Sequence, residues 1–196
     1  MRKLKREFYD RETLTVAEEL VGKLLVRYYD GNILKCRITE TEAYIGAIDK
    51  ASHCYKGVTD RTKVMFGPPG YSYVYFIYGM YYCLNVVTEK EGCGSGVLIR
   101  SAEPVLNIDK LCLNRYNKHE NEITKYQLKN LSNGPGKLCR ALNITKKDNG
   151  LDLLGEELYI EDDGYKEFTI EKSKRINIDY AEEARDFLWR FTIKRK

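Results

Sequence analysis

The chain has 196 residues, with 33 Lys and Arg against 29 Asp and Glu and a net charge of +4; that length suits one domain with a core of its own. Its 43% hydrophobic and 32% charged residues are those of a soluble globular protein, and no apolar run nears the roughly 18 residues of a membrane span. The small positive charge permits a polyanionic partner without calling for one. No apolar run follows the basic start Met1-Arg2-Lys3-Leu4-Lys5-Arg6, so no secretory signal is expected. The six cysteines form no C-x-x-C pair and read as reduced thiols of a cytoplasmic protein. Tyrosine is abundant, at 16 residues.

In chain order, Thr15-Val16-Ala17-Glu18 reads as a capping box opening a short helix through Val21. A strand over Leu24–Tyr29, the turn Asp30-Gly31-Asn32 and a returning strand over Ile33–Tyr44 make a hairpin. His53 to Gly70 is polar and punctuated by Gly and Pro, a long loop. Two aromatic strands, Tyr71–Tyr78 and Tyr81–Thr88, flank Gly79-Met80, and Gly96–Ser101 is another strand. Pro104 is expected to start a helix through Leu113, Asn114 to Asn130 to be a surface insertion, and Pro135 to open a helix through Leu142. Short strands are expected near Leu158–Ile160, Phe168–Ile170 and Arg175–Ile178, then a helical Ala181–Asp186 and a closing strand in Phe187–Ile193. The sum is an α+β fold, one domain over residues 1–196, with an antiparallel sheet core, peripheral helices and a protruding hairpin.

Chemistry is concentrated in two places. On the returning strand, period-2 alternation puts Leu34, Cys36 and Ile38 on one face with Glu40, Glu42 and Tyr44. Carboxylates beside an apolar wall suit a general base, and two of them would also suit Mg²⁺ in a nuclease; equally, the strand simply leaves the core there. The segment Tyr71 to Tyr82 puts apolar residues at a hairpin tip, Tyr78-Gly79-Met80-Tyr81. Such tips unstack DNA steps in base-flipping and DNA-bending proteins, while plain cross-strand aromatic packing is the other explanation. His53 and Cys54 lack the spaced partners of a metal site. Gly134-Pro135-Gly136-Lys137 lacks Walker spacing; its amides could hold a phosphate or simply start a helix.

Taken together and in order, Glu40-Thr41-Glu42-Ala43-Tyr44, His53, Met65-Phe66-Gly67-Pro68-Pro69-Gly70, Tyr73-Val74-Tyr75-Phe76-Ile77-Tyr78-Gly79-Met80-Tyr81, Cys83-Leu84-Asn85, Val97–Pro104 and Gly134–Leu138 resemble the alkyladenine (3-methyladenine) DNA glycosylase family in its bacterial form. The resemblance runs from Phe8 to Phe191. It implies a glycosylase of base excision repair that flips alkylated or deaminated purines from duplex DNA and hydrolyses the glycosidic bond. It implies Glu42 as the base that activates water and Arg100 as the arginine that helps hold that water. Tyr44, His53 and Tyr75 would enclose the flipped base, Asn85 would disfavour guanine, and Tyr78 would wedge into the duplex. Met80 and Lys137 are further expected DNA contacts, with Lys56, Arg61, Lys63 and Arg140 as candidates for phosphate. No metal or cofactor is called for, and a monomer that leaves an abasic site without cutting the strand is expected. The rival readings are the Mg²⁺-dependent nuclease and a non-catalytic minor-groove binder.

Overall fold

A computed structural model describes residues 1–195. The chain opens on β1 (Arg2–Lys3), α1 (Arg6–Tyr9) and α2 (Thr13–Leu20). The last begins two residues before the expected cap, and its N-cap position, Glu12, makes no side-chain cap. Thr13 instead gives its hydroxyl to the Glu89 carboxylate at 2.6 Å. A distant turn therefore fixes where this helix starts, and Thr15 and Glu18 lie within it.

β2 (Leu24–Tyr29) and β3 (Asn32–Tyr44) form the expected hairpin. Asp30 (φ 51°) and Gly31 (φ 72°) supply the left-handed pair that a two-residue primed turn requires. β4 (Ser72–Ile77) and β5 (Tyr81–Thr88) pair next, followed by β6 (Ser95–Leu106). β6 carries straight through Pro104, where a helix was expected. Pro104 sits opposite Cys36 beside a register shift, a site that asks no N–H of it, and α3 (Ile108–Tyr116) starts only after left-handed Asn107. The segment 114–130 is built rather than open: α3 runs into it, a 3-10 turn covers Glu120–Glu122, and Thr124 with Gln127 boxes the start of α4 (Lys125–Lys129). α5 (Pro135–Ala141) starts at its proline as expected. β7 (Leu158–Asp162), β8 (Phe168–Ser173) and β9 (Arg190–Arg195) complete the chain. No strand forms over Arg175–Ile178: Arg175 is buried in an ion pair and Asn177 takes φ 60°, which breaks an extended run.

The strands lie in the order β1-β7-β2-β3-β6-β5-β4, with β9 pairing β3 and β8. Every paired neighbour is antiparallel. The fold is α+β. Alternation assigns the two faces of the sheet. Val74, Leu84, Val86, Val97 and Ile99 face the main core, which they share with Val16, Ala17 and Leu20 of α2 and with Leu138, Ala141 and Leu142 of α5 or just after it. Their neighbours Tyr73, Tyr75, Cys83, Asn85, Leu98 and Arg100 face the other way and line a cavity.

β3 does not keep one face along its length. Its register with β6 shifts between Ile38 and Glu40 and again between Glu40 and Thr41. Leu34, Cys36 and Ile38 belong to the core, but beyond the shift the core residue is Ala43, and Thr41 gives its hydroxyl to Ala17 O on the helix side. The expectation that Glu40, Glu42 and Tyr44 continue the apolar face is therefore wrong. The irregularity, where β3 also exchanges β2 for β9 as neighbour, turns them to the cavity side.

Candidate active site

Glu42 lies under the cavity of about 670 Å³ with no exposed side-chain surface. Oε1 accepts the Ile176 N–H at 2.9 Å and Oε2 accepts the Tyr44 hydroxyl at 2.8 Å. Burial raises its pKa above the ordinary carboxylate range. Arg100 acts against that rise, and so do the Ile176 and Tyr44 hydrogen bonds. Glu40 has a different environment. Its Oε1 accepts Arg100 Nε at 2.9 Å and Arg190 Nε at 2.6 Å, so two guanidiniums already neutralise it. Arg100 Nε is 3.7 Å from Glu42 Oε1. Geometry thus separates two acids that spacing alone could not.

The cavity walls are aromatic. Tyr44, His53, Tyr73, Tyr75, Asn85 and Arg100 line it. Tyr73 and Tyr75 stack at 5.3 Å, and the His53 ring meets Tyr75 edge-on at 4.7 Å. The surroundings of the His53 ring and the Arg61 cation push its pKa down to about 4. Neutral His53 then accepts from Arg61 at Nε2 (3.5 Å), leaving its Nδ1 proton for the Tyr73 oxygen at 3.3 Å. Asn85 sits opposite Tyr73 in the hairpin register and donates to Tyr73 O at 3.3 Å. The phenol of Tyr75 is raised by burial and by the Cys83 thiol beside it, so it stays a neutral donor.

At the mouth stands the hairpin tip. Tyr78 is 75% exposed and Met80 64% exposed, too much apolar surface at one projection to be idle. Tyr78 (φ 50°) and Gly79 (φ 68°) are both left-handed, and Met80 N–H closes the turn on Ile77 O at 3.2 Å. A bulky residue held left-handed is uncommon. Gly136 lies so close to the start of β5 that a Cβ there would stand 2.9 Å from the Tyr81 ring. The Gly-Pro-Gly segment thus both starts α5 and lets it press on the cavity wall. Lys137 lines the cavity and gives its ammonium to the Asn130 and Asn133 amide oxygens, both at 2.9 Å, so neutral groups hold its charge.

The structure gathers Tyr44, His53, Tyr75, Asn85, Arg100, Tyr78 and Lys137 around one cavity, with Glu42 just beneath and Met80 at the tip outside. Of the other basic candidates Arg61 lines the cavity; Lys56, Lys63 and Arg140 are exposed elsewhere. Sequence reading missed Arg175 and Asp49. Their side chains, both without exposed surface, pair at 2.5 and 2.8 Å, and the Arg175 guanidinium stands 4.7 Å from the Tyr44 ring. Ile176 was also missed. A backbone donor and a pair 126 residues apart leave no pattern in the chain.

Comparison with known proteins places this geometry. The family model described as methylpurine-DNA glycosylase matches residues 7–196. A protein of Alkaliphilus oremlandii that carries the name 3-methyladenine DNA glycosylase is 61% identical over 98% of this chain and 96% of its own length. Proteins with the same name from Clostridium perfringens and Clostridium acetobutylicum are 56% and 53% identical over 98% of this chain, and over 96% and 94% of their own lengths. The acid beneath an aromatic cavity and these matches lead to one conclusion: the chain belongs to the methylpurine-DNA glycosylase family.

Proposed function

We propose that this DNA glycosylase of base excision repair takes an alkylated or deaminated purine, turned out of the duplex, into the cavity between Tyr44, His53 and Tyr75. Glu42 then takes a proton from the water that attacks the sugar carbon. The observation that carries the reading is the buried Glu42 carboxylate, raised in pKa and set 3.7 Å from Arg100 under an aromatic cavity. Raising a carboxylate's pKa makes it a stronger base than a free one, which suits it to take a proton from water. Arg100, its Nε engaged by Glu40, helps hold the water, and positive charge building on the sugar is met by the Glu42 carboxylate.

The tyrosine faces favour a cationic alkylpurine by cation–π attraction worth about 0.5–2 kcal/mol. Turning a base out costs a few kcal/mol, and least for a damaged or mispaired one. Tyr78 and Met80 wedge into the space it vacates, and Asn85 crowds the exocyclic amine of guanine. Lys137 and Arg61 meet the backbone phosphates. The protein works as a monomer in the cytoplasm, and the product is an abasic site in an uncut strand.

The test is release of 3-methyladenine or hypoxanthine from a duplex bearing one such residue, with wild-type protein and Glu42→Gln. The Gln variant is expected to bind the duplex and lose at least 10²-fold in single-turnover rate, an effect of the size that general base catalysis contributes. Full activity in that variant overturns the assignment. The nuclease reading predicts strand scission abolished by chelator. Its two acids, though, are a poor cation site here, since Glu40 is held by two guanidiniums and Glu42 by two donors.

A further inference from the structure

The stacking ring and the catalytic carboxylate are physically joined. The Tyr44 hydroxyl donates to Glu42 Oε2 at 2.8 Å, while Oε1 is held by Ile176 N–H at 2.9 Å. The Tyr44 ring is itself fixed by the Arg175 guanidinium at 4.7 Å, which Asp49 clamps with both oxygens where neither side chain has exposed surface. Arg175 and Ile176 are consecutive, so one dipeptide supports the ring and supplies the amide to the carboxylate.

We propose that the Tyr44 hydroxyl is a positioning group for Glu42: through it, the residue that stacks on the base also sets the orientation and the protonation of the carboxylate that activates water. This rests on the reading of Glu42 as the general base. The charged and titratable groups facing Glu42 are few. Glu40 and Tyr44 come from β3, Arg100 from β6 and Cys83 from β5, while the segment after β8 brings Ile176 and, behind Tyr44, Arg175; Arg190 of β9 faces Glu40. Among the described residues, only the Tyr44 hydroxyl and the Ile176 amide donate to the carboxylate within 3 Å. Arg100 is closer to Glu40 than to Glu42, at 2.9 against 3.7 Å.

A donor that bonds the ionised carboxylate favours that form, so losing the hydroxyl leaves Glu42 to take up a proton at higher pH. The phenol itself stays protonated, because burial and the Glu42 charge raise it well above its ordinary value. Tyr44→Phe keeps the ring and removes only the donor.

The experiment is single-turnover excision of hypoxanthine, whose charge does not change over the acid and neutral range, by wild type, Tyr44→Phe and Glu42→Gln across that range. Each rate is normalised to the variant's own plateau. The acid limb of Tyr44→Phe is expected about one pH unit above that of wild type, equivalent to about tenfold slower excision on the limb, as for one hydrogen bond to a charged group. A Phe variant whose limb coincides with wild type, whatever its affinity for the lesion, overturns the proposal while Glu42→Gln is inactive. An active Glu42→Gln instead removes the general-base reading on which the proposal stands.

Discussion

Glu42 sits where an ionised carboxyl group is costly, and the cost has a measurable sign. Its folded pKa is raised, mainly by burial. A group shifted this way contributes stability below the ordinary carboxylate range, and that contribution is lost as pH rises through the raised folded value. Once ionised, Glu42 is a charge in a site that disfavours it. Glu42→Gln removes that charge while its amide can still meet both the Ile176 amide and the Tyr44 hydroxyl. Thermal melts should show the Gln variant at or above wild type at neutral pH, with the difference closing in acid; a variant that melts lower at neutral pH contradicts this account. A second residue-scale expectation concerns Arg100. Arg100→Ala takes away the strongest influence holding the Glu42 pKa down, so the acid limb of excision should move to higher pH and the neutral rate should fall. Spacing alone placed Glu40 and Glu42 side by side as acids. Only the partners, two guanidiniums on one and two neutral donors on the other, tell them apart.

Among the elements, the β4–β5 hairpin was the most legible, because two runs rich in aromatic and β-branched residues flank a short turn containing Gly79. Its tip carries a conflict between fold and function. Left-handed Tyr78 (φ 50°) costs about 1–2 kcal/mol relative to a residue that tolerates that region. Tyr78→Asn should therefore be more stable, by about 1 kcal/mol or about 2–4 °C in Tm, yet excise lesions from duplex DNA several-fold more slowly. Calorimetry and the excision assay on the same preparation check both signs. The segment after β8 is not the expected strand for a physical reason: Arg175-Ile176-Asn177-Ile178 alternates polar and apolar residues, but the charged Arg175 is buried as deeply as the apolar Ile178. Breaking its pair by Arg175→Met strands the Asp49 charge and is expected to cost about 3–5 kcal/mol in urea unfolding. β3 shows the same limit. Its residues alternate without a visible break, and the face change at Ile38–Thr41 arises from pairing with β6 and β9.

For the whole molecule, one sheet separates two tasks. One face is sealed by helices into the main core, and the other is left concave under loops that carry His53, Arg61 and Ile176. The net charge of +4 is small for a DNA-binding surface, so local cations must supply the phosphate contacts. If Arg61 makes one of them, Arg61→Ala should reduce the slope of log affinity against log salt by about one, without altering the relative affinity for different flanking sequences. Fluorescence titrations of a lesion duplex at several salt concentrations read this directly.

The sequence by itself determined the α+β class, the two hairpins, the start of α5 and, through its blocks of resemblance, the residues that gather at the cavity. These are set by local turn chemistry, by period-2 patterning and by residue identities that survive in the chain. It did not determine which face Glu42 occupies, where α2 begins, that β6 passes through Pro104, or that Arg175 and Asp49 hold Tyr44. Each of those depends on which distant strand, turn or side chain arrives as a partner: Thr13 with Glu89, β3 with β6, Arg175 with Asp49. Burial and pairing energies are properties of such meetings, and a linear pattern records only one side of each.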